Sequence, residues 1–203
     1  RVIVVDGGST DRTVEVAKRF GADVLTTRQR GRGNQIAAGV ANAHEEVILV
    51  AHADMHFPAE ALARVRQHLK ANPACPGGCL GHRFDSRRWI FRIIEWFDRR
   101  RAVRGMSYGD QAQFFRREVL ARAGGFPAQM LMEDVELSRR LIGLGKPAYL
   151  DCPVLVSPRR FEKEGIIRTL WLNRRLRAAY RRGGVESCRS IYERYYESDV
   201  TGQ

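Results

Sequence analysis

The chain has 203 residues, 44% of them apolar and 29% charged, with a formal net charge of +12. That length bounds it at one domain, or one domain with an extension, and the apolar share fills a core, which excludes a wholly disordered chain. No apolar run reaches the length of a transmembrane helix and no fixed period recurs, which excludes coiled-coil, collagen-like and repeat architectures.

Residues 2–5 form an apolar run that predicts a buried strand. It ends at Asp6-Gly7-Gly8-Ser9-Thr10-Asp11, where the glycines allow a sharp turn and Ser9, Thr10 and Asp11 suit a helix N-terminus. The helix runs to Phe20, stops at Gly21 and turns Val14, Ala17 and Phe20 inward. A strand over 22–26 leads to a basic glycine loop over 28–35, and a small helix follows through Ala37, Ala38 and Ala41. Residues 47–50 are a further buried strand, ending in Ala51-His52-Ala53-Asp54-Met55-His56. A helix from Pro58 aligns Leu62, Val65 and Leu69 on one face. This alternation predicts an α/β fold with a mostly parallel sheet flanked by helices.

The second half predicts a strand over 78–84 and an aromatic helix over 89–97 flanked by arginines. A strand over 111–115, a short helix over 118–123 and a helix opening at Glu133-Asp134 come next. Short strands over 148–150 and 154–157 precede a long basic helix over 166–182.

The charge is uneven: 10 basic against 8 acidic residues up to Leu80, and 25 against 15 beyond it. A phosphate-rich substrate, anionic lipid headgroups and nucleic acid are the candidate partners for such a surface. No nucleic-acid motif accompanies the charge, so no nucleic-acid partner is expected. Cys75 and Cys79 make half of a zinc pattern with no second pair. Free thiols in a reducing compartment are the better reading, which predicts a cytoplasmic location.

Ligands of open α/β sheets bind beyond the carboxyl ends of the strands, and Asp6 and Asp54 stand at two such ends. A carboxylate there can hold a nucleoside hydroxyl, or a metal that bridges a diphosphate. Each also has a plain alternative, as a turn-former or helix cap. His52 and His56 crowd the end that carries Asp54. Glu133 and Asp134 open a helix, where acidic residues complement the dipole. They follow Met130-Leu131-Met132, and desolvation by such neighbours raises a carboxyl pKa toward that of a general base.

Taken together, Val-Val-Asp-Gly-Gly-Ser-Thr-Asp at 4–11, His52-Ala53-Asp54, Gly124-Gly125-Phe126 and Glu-Asp-Val-Glu-Leu at 133–137 resemble glycosyltransferase family 2. Tyr108-Gly109-Asp110-Gln111, Met132 to Leu137 and Ser157-Pro158-Arg159-Arg160 are similar to a bacterial branch associated with radical SAM and selenium-linked gene clusters. The resemblance runs from Arg1 to about Arg182. It implies a GT-A domain over 1–160, a helical extension over 161–203, and inverting transfer of a sugar from a nucleotide-diphosphate donor to a hydroxyl acceptor.

Carried over residue by residue, the resemblance implies that Asp6 contacts the donor nucleoside and that Asp54 binds Mg²⁺ or Mn²⁺ on the diphosphate. Asp134 is the implied base, Arg159 or Arg160 holds the diphosphate, and Arg32, Gln35 and His52 assist on the donor side. Asp110 and Glu133 fall on the acceptor side. Two departures stand out: Gly7 replaces the second Asp of Asp-Asp-Gly-Ser, and His52 replaces the first Asp of Asp-x-Asp. The resemblance also implies a strand and helix ahead of Arg1, so that residues 2–5 present an unpaired edge and a route to a homodimer.

Trp89, Ile93, Trp96 and Phe97 recur at helical spacing with Arg88, Arg92 and Arg99 on the flanks. Two readings stand side by side. The stripe is the core face of its helix, or Trp89 and Trp96 dock a lipid-linked acceptor at an anionic membrane surface.

Overall fold

The computed structural model describes residues 1–29 and 31–191. Arg30 of the basic loop and residues 192–203 of the extension lie outside them. In chain order the elements are β1 (Ile3–Asp6), α1 (Thr13–Arg19), β2 (Asp23–Thr26), α2 (Arg32–Ala41), β3 (Val47–Leu49), β4 (Met55–His56) and α3 (Ala61–Ala71). Next come β5 (Gly77–Cys79), β6 (His82–Phe84), α4 (Trp89–Ala102), a 3-10 turn (Gly109–Gln111), β7 (Gln113–Arg116) and α5 (Arg117–Arg122). The last are α6 (Glu133–Leu144), β8 (Ala148–Tyr149), β9 (Val154–Val156), α7 (Arg159–Glu164) and α8 (Ile166–Gly183).

The strands form a central sheet ordered β3-β7-β5-β8, a pair β1-β2 and a small sheet β4-β9-β6. The expected mostly parallel sheet is corrected to a mixed one. β1/β2, β5/β8 and β6/β9 are parallel, while β3/β7, β5/β7 and β4/β9 are antiparallel. The cause is β7, which enters between β3 and β5 and runs against both. Its register pairs Phe114 with Leu49 and with Gly78. On the other side of β5, a Cβ at Gly78 would lie 2.0 Å from the carbonyl oxygen of Ala148, so only glycine lets β8 approach.

β7 also explains the layering. Successive strand residues face opposite ways. Phe114 packs with Ala61, Val65 and Leu69 of α3 and Phe91 and Ile94 of α4. Phe115 packs with Leu120 of α5, Leu137 and Leu141 of α6, and Ile36 and Val40 of α2. The central sheet is therefore covered by helices on both faces.

Several local expectations are corrected. α1 buries no residue and Phe20 is exposed, because the two-stranded β1/β2 sheet offers α1 little to pack on. Leu62 is exposed and Ala61 takes its place in the core. The strand expected over 78–84 is two strands in different sheets, broken at Gly81, whose φ is +79°. Arg32 to Gln35, expected in a loop, form the first turn of α2. The short helix α7 was not anticipated. All four cysteines are free and buried.

α8 is not an appendage. Its Leu176 and Tyr180, with Cys188, pack on Leu131, Met132 and Val135, the segment that leads into α6. The Tyr180 hydroxyl lies 2.9 Å from Glu136 Oε2 and donates to it.

Candidate active site

Asp6, buried at the end of β1, spends its carboxylate on its own turn. It accepts the N–H of Gly8 at 2.9 Å and that of Ser9 at 3.1 Å. Bonds from Ser9 and then Gly8 hold the Asp6 carboxyl below its ordinary range. Gln35 of α2 caps this turn, since a Cβ on Gly7 would fall 2.1 Å from Gln35 Nε2. A side chain at position 7 would therefore displace the Gln35 amide from this turn.

Three implied site residues meet around Gly109, and a fourth, Glu133, is tied to them through Arg32. A Cβ there would lie 2.8 Å from His52 Nε2 and 3.4 Å from both Arg32 Nη2 and Asp134 Oδ2. Asp134 Oδ2 accepts the Gly109 N–H at 2.8 Å, and its Oδ1 accepts the Val135 N–H at 2.7 Å. Arg32 pairs with Glu133 and stands 3.6 Å from Asp134 Oδ2. The Glu133 side chain is 2% exposed, and burial pushes its carboxyl up while Arg32 pulls it down. Burial and then the Arg32 charge lower His52 to about 4, so its imidazole is neutral near pH 7.

Two strained residues hold these pieces in place. Among the described residues the non-glycine positions with positive φ are Ala112, at 48°, and Met132, at 62°. Ala112 follows the 3-10 turn that carries Gly109, and Met132 precedes Glu133. Left-handed backbone at such residues costs on the order of 1 kcal/mol and persists where packing over-determines it. α8 supplies that packing behind Met132.

Asp54 opens onto a cavity of about 500 Å³ lined also by Ala53, His56, Asp85, Val156, Ser157 and Arg159. Ser157 belongs to the Ser157-Pro158-Arg159-Arg160 motif, whereas Asp85 is a lining residue that no sequence motif marks. Asp85 directly follows β6, and its N–H donates to the Val156 carbonyl at 2.9 Å. An acidic residue just past a strand end was the signal that could have found it. Arg159 enters this cavity, whereas Arg160 stands in the first turn of α7, 3.5 Å from Glu164.

The stripe on α4 faces outward, correcting the reading of it as core. Trp89 is 71%, Trp96 50% and Phe97 61% exposed, and the buried side of the helix is Phe91, Ile94 and Ala102. The Arg100 guanidinium sits 4.6 Å over the Trp96 ring. Trp96, Phe97, Arg100, Arg101, Arg104 and Met106 line a second cavity of about 520 Å³. No helix among the described residues is long and apolar enough to cross a membrane.

The family model for glycosyl transferase family 2 matches residues 1–131. An undecaprenyl-phosphate 4-deoxy-4-formamido-L-arabinose transferase of Pectobacterium carotovorum is 28% identical over 173 residues, which are 73% of this chain and 53% of that protein. A counterpart from Pectobacterium atrosepticum is 28% identical over 130 residues, covering 59% of this chain and 40% of its own. The chain therefore spans about half the length of the curated relatives it matches.

Among solved structures, the mannosyltransferase PcManGT from Pyrobaculum calidifontis, in complex with GDP-Man and Mn²⁺, superposes with a TM-score of 0.64 at 22% identity. It covers 87% of this chain and 51% of its own. S. aureus TarS 1–349 in complex with UDP-GlcNAc superposes with a TM-score of 0.61 at 15% identity, over 77% of this chain and 49% of its own. At such identities the likeness establishes the fold, which is GT-A.

Proposed function

The chain belongs to glycosyl transferase family 2, and on that premise we propose that it moves a sugar, with inversion, from a nucleotide-diphosphate sugar to an acceptor hydroxyl. The observation that carries this reading is the meeting of Asp134, Arg32 and His52 at Gly109, with Asp54 near enough for its charge to act on His52.

Asp134 is the base. Its Oδ2 is aimed by the Gly109 N–H and its Oδ1 by the Val135 N–H, so the carboxylate cannot swing freely. It takes the proton of the acceptor hydroxyl as that oxygen bonds to the anomeric carbon. The bond from that carbon to the diphosphate breaks in the same step, and the nucleoside diphosphate leaves with the electron pair. Arg32, held by Glu133, acts as a positioning residue whose guanidinium stands 3.6 Å from Asp134 Oδ2. Asp6 and Gln35 build the turn assigned to the donor nucleoside. Arg159 supplies a fork of donors for the diphosphate, with Arg160 one residue further on.

The residues around Asp54 fit a divalent cation. Asp54, Asp85 and His56 bring oxygen and nitrogen donors to one cavity, and Arg159 brings phosphate contacts to the same cavity. These donors do not close a tight cage, which suits a cation shared with diphosphate oxygens. When bound, Mg²⁺ or Mn²⁺ supplies positive charge to the departing diphosphate.

The outward stripe of α4 favours an acceptor at an anionic membrane surface, with the protein peripheral on the cytoplasmic face. Its arginines suit the headgroup level and Trp89 and Trp96 suit the interface. A screen of nucleotide sugars for hydrolysis and transfer, with Mn²⁺ or Mg²⁺, tests the activity. Turnover lost in Asp134→Asn supports it, and turnover unchanged in that variant overturns the assignment of the base.

A further inference from the structure

Three ligand-bearing side chains meet away from the strand-end cavity. The His82 side chain, on β6, is 1% exposed, and neither Nδ1 nor Nε2 has a hydrogen-bond partner among the described residues. Its Nε2 lies 3.6 Å from Asp98 Oδ2 on α4 and 4.0 Å from Asp110 Oδ2 in the 3-10 turn. One ligand atom from each residue falls within 4.8 Å of the other two, a condition met by no other such trio among the described residues.

The separations involving His82 are too long for hydrogen bonds. They suit atoms that share one cation, since two ligands each about 2.1 Å from a metal lie up to about 4.2 Å apart. Modest rotation of a carboxylate brings in the third. Asp98 is braced from behind, because its Oδ1 pairs with Arg101, whose guanidinium also sits 3.5 Å over the Tyr108 ring. Asp110 Oδ1 is sealed from solvent without a partner, yet the side chain as a whole is 42% exposed, which leaves an entry path. Burial pushes the Asp110 carboxyl up, His82 pulls it down, and Asp98 pushes it up again. A bare imidazole beside two carboxylates, with the Phe84 ring packed nearly perpendicular to it at a centroid distance of 5.0 Å, is costly unless something fills the space between.

We propose that His82, Asp98 and Asp110 bind a divalent transition-metal cation at a site separate from Asp54. One imidazole nitrogen and two carboxylate oxygens favour Mn²⁺, Co²⁺ or Zn²⁺ over Mg²⁺. The site fastens β6 and α4 to the turn whose Gly109 N–H holds Asp134. The cation thereby positions the base, a role that rests on the function proposed above, whereas its binding does not.

Mn²⁺ titration followed by electron paramagnetic resonance, without nucleotide, tests the binding. Asp54→Ala is expected to take up one Mn²⁺. Adding Asp110→Asn to it weakens that uptake at least about tenfold, and adding His82→Gln does the same. Circular dichroism confirms that each variant is folded. Thermal melting gives a second readout: Zn²⁺ raises the midpoint of Asp54→Ala and equal Mg²⁺ does not. The proposal is overturned if Asp54→Ala takes up no Mn²⁺ or Zn²⁺ at millimolar concentration. It also fails if both added substitutions leave uptake unchanged, or if nitrogen NMR shows His82 doubly protonated in excess Zn²⁺. Donor binding by the wild type is measured separately, so a failure here is distinguishable from a failure of the proposed function.

Discussion

The backbone N–H of Gly109 donates to Asp134 Oδ2 at 2.8 Å, joining the 3-10 turn after α4 to the first turn of α6 across 25 residues. The bond leaves one face of Gly109 open to His52 and Arg32, with no room for a side chain. Backbone rather than side chain thus aims the proposed base, and an unprotected glycine is the price of that arrangement.

Gly109→Ala tests this directly. The new methyl would lie 2.8 Å from His52 Nε2, so the imidazole or the turn must shift. The substitution is expected to lower the transfer rate by about 10- to 100-fold through misplacement of the base. The melting midpoint should move little, because Gly109 lies outside the left-handed region that alanine resists. An unchanged rate in steady-state kinetics would show that the turn does not aim Asp134.

Arg32→Met is expected to destabilise the fold by about 1 to 2 kcal/mol, since it leaves the buried Glu133 carboxyl without its half-exposed partner. Glu133→Gln in the same chain should recover much of that loss, and a denaturant double-mutant cycle measures the coupling. Additive losses would mean that the pair does not act as a unit.

Asp6 predicts a pH dependence of stability. Its folded pKa is lowered by bonds from Ser9 and Gly8, so the unfolded chain binds the proton more readily. The contribution is therefore present above the ordinary carboxyl pKa and is lost as pH falls through the folded value. Asp6→Asn should flatten the acid limb of stability, followed by denaturant midpoints from neutral pH downward. An acid limb as steep as the wild type's would assign it to other carboxylates.

Trp89→Ala/Trp96→Ala removes two exposed rings, so the fold should persist with little change in melting midpoint. Wild-type protein is expected to co-sediment with anionic but not neutral vesicles at low salt, and the double variant to lose most of that binding. Equal sedimentation of both proteins would remove α4 from the account of membrane contact.

Much of this was legible in the sequence, for identifiable reasons. The apolar runs over 2–5 and 47–50 announce strands β1 and β3, and Asp6 and Asp54 drew notice because they stand at or a few residues past those runs. Helix α3 showed its period, though the core takes Ala61 rather than Leu62. The face of α4 was not legible, because Phe91 and Ile94 are as apolar as Trp89, Ile93, Trp96 and Phe97, and only packing chose between them. The direction of β7 depends on long-range pairing with β3 and β5, which carries no local signature. His82 and Asp98 were silent for the same reason, since they meet Asp110 only in three dimensions.

The division of labour between Asp54 and Asp134 is the centre of the account. Calorimetric titration of the wild type, Asp54→Ala and Asp134→Asn with UDP- and GDP-sugars in the presence of Mn²⁺ measures it most directly. Wild type and Asp134→Asn should bind one of these donors with affinities within about threefold, while Asp54→Ala binds it at least about tenfold more weakly. Binding of the donor by Asp54→Ala as tight as by the wild type, or equal weakening in both variants, would contradict the account.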